Sequence, residues 1–142
     1  MEPYRRKVNY YETDQMGIIH HANYVRYLEE CRMYYMEQNG LEYTYVESLG
    51  ILIPVLGVQI DYKQAIRYGD EIIIEEKFSK FSQVKFSITY EIRNAKTGEL
   101  HATASSDHCF VNKALEPVRL KKDYPEIYNK FHDYVVEEQK HQ

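Results

Sequence analysis

What most constrains the fold is a change of period along the chain. From Tyr24 the apolar positions Tyr24, Tyr27, Leu28, Cys31, Tyr34 and Tyr35 recur three and four residues apart. Arg26, Glu29, Glu30, Arg32 and Glu37 fill the other face, so the segment predicts an amphipathic helix of roughly four turns. Asn23 is placed as its N-cap, and Asn39-Gly40 is a C-terminal stop. From Ile51 to about Asn112 the period falls to two. Ile51–Tyr62 is an apolar strand with Pro54 near its start, and Asp70–Lys80 carries Ile72, Ile74 and Phe78 on one face. Val84–Arg93 and Leu100–Val111 alternate in the same way.

The remaining segments fit around this pair of periods. Residues 4–12 alternate loosely and predict a first strand, with Val8 and Tyr10 on one face. Glu42–Gly50 reads as a short helix or an irregular connection. Arg67-Tyr68-Gly69-Asp70 and Asn94-Ala95-Lys96-Thr97-Gly98 carry turn chemistry. Ala102, Ala104 and Ser106 are small enough to let a helix approach the sheet. A second helix is expected from Lys122 to about Glu138, with Tyr124, Ile127, Tyr128, Phe131 and Val135 on one face. One long helix against an antiparallel sheet is an α+β arrangement. At 142 residues the expectation is a single domain, residues 1–142, with one core.

Composition excludes more than it selects. Net charge is −4 and no lysine or arginine stripe occurs, which argues against nucleic acid or an anionic membrane surface as partner. The basic start Met1-Glu2-Pro3-Tyr4-Arg5-Arg6-Lys7 has no apolar segment behind it, and no apolar run has the length of a membrane span. Cys31 and Cys109 lie within predicted regular elements and read as buried thiols of a cytoplasmic protein. The chain has 15 tyrosines, 5 phenylalanines and no tryptophan. An amphipathic aromatic suits surfaces that become buried when chains associate, so this bias either reflects an oligomer or is a compositional habit of the source organism.

Chemistry concentrates in Tyr10–Tyr24. Asp14 alone would be a turn former. Gly17, however, lets the chain fold tightly about the acid, Ile18-Ile19 supply an apolar flank that would raise a carboxylate's basicity, and the coming helix offers unpaired N–H groups to an oxyanion. An acid beside such donors is an arrangement for acyl transfer. His21 is either a general acid/base, a group positioning a carbonyl, or a hydrogen-bonded helix-start residue. Adjacent side chains such as His20 and His21 diverge on regular elements, so the spacing argues against a metal site. Tyr10 either hydrogen-bonds the acid or the substrate, or belongs to the core. Glu29 and Glu30 are either the solvated helix face or part of a pocket wall. No Gly-rich phosphate cradle, Gly-x-Ser-x-Gly elbow or reactive-cysteine motif is present, and nothing calls for a cofactor.

The run Tyr10-x-x-Thr13-Asp14-x-x-Gly17-x-x-x-His21-x-Asn23-Tyr24 and the helix after it resemble the signature of the 4-hydroxybenzoyl-CoA thioesterase-like hotdog family. The resemblance implies a hotdog fold, a long central helix wrapped by a curved antiparallel sheet of about five strands, with a C-terminal helix. It implies an acyl-CoA thioesterase that forms dimers by joining sheets edge to edge, often paired into tetramers, with sites at the dimer interface. Asp14 would be nucleophile or general base. The backbone at His21 would polarise the thioester carbonyl, its side chain assisting, and Tyr10 would match a tyrosine used in short-chain acyl-CoA relatives. Gly17, Asn23, Tyr24 and Lys85 complete the expected substrate contacts. His20 departs from a usual aromatic. The Ser79–Lys85 turn lacks an arginine-rich run that grips CoA phosphates in one relative, which keeps an acyl-carrier-protein substrate open. A non-catalytic acyl-thioester-binding protein is the rival from another class.

Overall fold

The computed structural model describes residues 2–140; Met1, His141 and Gln142 lie outside the described residues. The elements run β1 (Tyr4–Lys7), a 3₁₀ turn (Tyr10–Glu12), α1 (Ala22–Gln38), α2 (Tyr43–Ser48), β2 (Val55–Tyr62), β3 (Glu71–Phe81), β4 (Lys85–Asn94), β5 (Leu100–Cys109), α3 (Leu120–Asp123) and α4 (Pro125–Lys140). The five strands form one sheet in the order β1-β3-β4-β5-β2, with every pairing antiparallel.

Period two decides which face of the sheet is covered. Ile72, Ile74 and Phe78 of β3, Phe86, Ile88, Tyr90 and Ile92 of β4, and Ala102 and Ala104 of β5 are all buried. Against them α1 presents Tyr24, Tyr27, Leu28, Cys31 and Met36, and α4 presents Ile127, Phe131, Tyr134 and Val135. The sheet therefore wraps the long helix as the resemblance implies. Tyr35 donates its hydroxyl to the Ile74 carbonyl at 3.4 Å, which ties α1 to β3. Fully buried aliphatic side chains such as Ile51, Ile66 and Leu120 contribute about 1.5–3 kcal/mol each relative to exposure.

Two expectations at the N-terminus need correction. The first strand ends at Lys7 rather than continuing to residue 12. Glu12 reaches back to accept the Asn9 N–H at 2.8 Å and so closes a turn that an extended chain would not permit. Asn23 is not the N-cap; that position is His21. Asn23 lies inside the first turn of α1, buried, donating Nδ2 to the Glu12 carbonyl at 2.9 Å. The C-terminal helix is also split, α3 ending before Pro125, a residue suited to the first position of α4.

Candidate active site

The Asp14 turn is built from its own backbone. Asp14 N–H donates to Ile18 O at 2.8 Å, and Gly17 N–H donates to Asp14 O at 3.1 Å. Gly17 has φ of +74°, a left-handed conformation that favours glycine. The Met16 N–H donates to Asp14 Oδ1 at 2.8 Å, fixing the carboxylate on the turn. Ile19 N–H donates to Ile66 O at 2.8 Å and anchors the loop to the segment before β3.

Beneath it sits a buried ion pair that the motif does not announce. Arg6 grips Glu12 with two hydrogen bonds, Nη1 to Oε1 at 2.8 Å and Nη2 to Oε2 at 2.6 Å. Tyr27 donates its hydroxyl to Glu12 Oε1 at 2.9 Å. Desolvation pushes the Glu12 carboxyl up, but the Arg6 guanidinium, the Asn9 N–H and the Tyr27 hydroxyl outweigh it and hold it below the usual range. The Glu12 carbonyl accepts the His20 N–H at 2.9 Å as well as the Asn23 amide. Glu12 thus fixes both ends of the loop that carries Asp14.

The start of α1 has three N–H groups with local acceptors. Ala22 donates to His20 Nδ1 at 3.2 Å, Asn23 to His20 O at 3.0 Å and Tyr24 to His21 O at 3.2 Å. Among the described residues, the His21 N–H has no acceptor. It belongs to the positive end of the helix, where an incoming oxygen is stabilised. The His20 and His21 rings stack, with centroids 4.3 Å apart, instead of diverging as expected, because His20 lies in the turn before the helix.

Asp14 and His21 open onto a common pocket of about 310 Å³, lined also by Ile18, Ile19, Tyr24, Tyr62, Lys63, Gln64 and Ala65. Tyr24 packs edge-on against Tyr62, centroids 4.8 Å apart. Burial, with the Tyr62 hydroxyl nearby, pushes the Tyr24 phenol up to about 12. It is a neutral wall of the pocket.

The other expected contacts lie elsewhere. Tyr10 is 75% exposed and packs edge-on against Tyr68, so it faces neither the pocket nor the core. Gly17 shapes the turn without lining the pocket, and Asn23 is turned into the Glu12 loop. Lys85 is at the far end of the sheet. The pocket adjoins Tyr62, which pairs with Ala102 and through it with Ile92. Lys85 is seven residues from Ile92 along β4, roughly 23 Å at ~3.3 Å per residue. Lys63 is the lysine the structure brings to the pocket. Among the described residues, no group of three or more His, Cys, Asp or Glu side chains is arranged to hold a metal ion.

Comparisons with known proteins bear on the family and the fold. The family model described as the thioesterase-like superfamily matches residues 8–130. A Bacillus subtilis protein described as "Putative acyl-CoA thioesterase YneP" is 35% identical over 121 residues, covering 84% of this chain and 87% of that one. A 1,4-dihydroxy-2-naphthoyl-CoA hydrolase of Crocosphaera subtropica is 26% identical over 114 residues, covering 79% of this chain and 83% of that one. The crystal structure of a DHNA-CoA thioesterase from Staphylococcus aureus superposes with a TM-score of 0.89 at 28% identity, covering 99% of this chain and 95% of that one.

Proposed function

The chain belongs to the thioesterase-like superfamily, and from that premise we propose that it hydrolyses acyl-CoA thioesters at the pocket shared by Asp14 and His21. The observation that carries this reading is the pairing of a turn-fixed carboxylate with a helix-start N–H that lacks an acceptor. The thioester carbonyl oxygen takes the His21 N–H, which favours the charge that develops as the carbon becomes tetrahedral. Asp14 attacks that carbon, expelling the thiolate and forming a mixed anhydride that water then hydrolyses to regenerate the carboxylate, or it takes a proton from a water that attacks the carbon itself. Either route breaks the C–S bond, leaving a carboxylic acid and the protonated CoA thiol. The His21 imidazole stands in the same pocket to return a proton to the leaving sulfur. Lys63 supplies a cation for the anionic CoA.

The same reading includes an oligomer. Strand β2 is a sheet edge, and Val55, Leu56, Val58 and Tyr62 along it are 50%, 60%, 44% and 54% exposed. Such an edge is a template for another strand. Pairing of two β2 edges would give a dimer, and antiparallel pairing sets the start of one β2 beside the end of the other. The Asp14 pocket of one copy then adjoins the Ile53–Val55 side of the next. None of the described helices is long and apolar enough to cross a membrane. With both cysteines unpaired, this supports cytoplasmic residence.

Thiol release measured across straight-chain, branched and aromatic acyl-CoAs tests the proposal. The expected result is saturable release of CoA thiol from at least one class. Tight acyl-CoA binding without thiol release from any class would identify a non-catalytic binding protein instead.

A further inference from the structure

A second cavity, about 350 Å³, lies between α1, α4 and the inner face of the sheet. Much of its wall is apolar: Met33, Met36, Ile53, Phe78, Ile88 and Phe131. Into this wall projects Arg32, half-buried. Its Nη1 donates to the Tyr90 hydroxyl at 3.1 Å. Among the described residues, no carboxylate lies within ion-pairing reach of it.

Among the described residues, the neighbouring polar groups give that charge no direct ion pair, although Glu76 is close enough to feel it. Glu76 is fully enclosed and accepts the Tyr134 hydroxyl, and burial pushes its carboxyl well above the usual range. His108 pairs through Nε2 with Ser106 Oγ at 2.7 Å, and Ser106 Oγ pairs with the Tyr90 hydroxyl at 2.6 Å. Burial, then the Arg32 guanidinium, pulls His108 down to about 4, so it is neutral. Glu29 is the one other charged group of the lining and is exposed to solvent. A guanidinium with five donors, one engaged, is costly in an apolar cavity unless an anion meets it.

We infer that this cavity binds a carboxylate carried on an apolar chain, with the carboxylate on Arg32 and the chain along Met33, Met36, Phe78, Ile88 and Phe131. Arg32 suits a carboxylate because its planar fork matches the two oxygens. The neutral Tyr90–Ser106–His108 relay sets the guanidinium's position without competing for its charge.

Two sources present this chemistry. One is a free fatty acid. The other is the distal carboxylate of an acyl group bound in the Asp14 pocket of a second copy paired through β2; that source rests on the thioesterase reading.

Calorimetric titration of the full chain with octanoate, and with octanol as the neutral match, tests the inference. Octanoate is expected to bind saturably, one per chain and about tenfold or more tighter than octanol. Arg32→Gln is expected to reduce octanoate to octanol's affinity, while Arg32→Lys keeps part of the preference. Equal affinities for the two ligands, no octanoate binding, or unchanged binding in a folded Arg32→Gln chain would overturn it. If Arg32→Gln does not fold, the octanoate–octanol comparison on the wild-type chain decides.

The source is then read from turnover of suberyl-CoA and octanoyl-CoA. A fall of about tenfold in their rate ratio on Arg32→Gln assigns the carboxylate to the acyl group. A constant ratio alongside lost octanoate binding assigns it to a free acid. Turnover of neither thioester removes the acyl-group source, while the calorimetry still decides the carboxylate site; the thioesterase reading itself fails only if no acyl-CoA class releases thiol.

Discussion

Replacing Glu12 by glutamine isolates the charge that holds the Asp14 loop in place. The wild-type carboxylate accepts four hydrogen bonds, two from Arg6 and one each from the Asn9 N–H and the Tyr27 hydroxyl. Its side chain is 4% exposed and that of Arg6 16%. Removing one member of a buried ion pair costs about 3–5 kcal/mol. Two features reduce that figure here. Arg6 keeps Glu30, reached by Nε at 2.9 Å, and the glutamine oxygen still accepts one or two of the four bonds. The expected loss is therefore about 2–3 kcal/mol, or about 10 °C in Tm for a chain of this length. Thermal unfolding followed by circular dichroism at pH 7 measures it.

The pH dependence of Glu12 supplies a second readout. Its carboxyl is held below the usual range in the folded state, so its contribution is present above the unfolded value and is lost as pH falls through the folded value. Wild-type and Glu12→Gln melting temperatures should converge as the solution is acidified. A drop under about 3 °C at pH 7, or a gap that does not change on acidification, would refute the view that this ion pair holds the loop.

Two further perturbations probe the C-terminal helix and the sheet edge. Burial pushes Glu138 up to about 7, although it accepts the Phe78 N–H at 2.6 Å. The folded chain therefore keeps a proton that the unfolded chain has released, and stability falls as pH rises from the ordinary glutamate value toward 7. Glu138→Gln should flatten part of that decline, so that its Tm gains on the wild type between pH 5 and pH 8; a pH-independent difference would contradict the assignment. Val58→Lys places a charge in the middle of the β2 edge and should shift a sedimentation profile toward the monomer. An unchanged profile would show that copies associate through another surface.

Much of the fold follows from periods that can be read locally. The α1 and β3–β5 segments fall within a few residues of expectation because their apolar spacing leaves one geometry that buries them all. Asp14, Gly17 and His21 were legible for the same reason, since turn and helix start lie within eight residues. Contacts made at long range were not. Glu12 looks like any exposed acid until Arg6 and Tyr27 are brought against it. Tyr62, Lys63 and Gln64 reach the pocket only because β2 runs along the far edge of the sheet and ends beside the turn. Lys85 lies at the other end of β4 from the pocket of its own chain, a separation that the sequence does not reveal. Glu76 did leave a signal: it shares the period-two face of Ile72, Ile74 and Phe78, where an acid has to be buried.

The central claim is that the Asp14 carboxylate performs the chemistry of the pocket. Asp14→Asn keeps the side chain's size and leaves an oxygen to accept the Met16 N–H, so the turn should survive. Thiol release from the best acyl-CoA, measured on wild type and Asp14→Asn at matched folded concentration, is the most direct test. The account predicts a fall in kcat of at least about a hundredfold with the melting temperature nearly unchanged. An Asp14→Asn chain that releases thiol at the wild-type rate would contradict it.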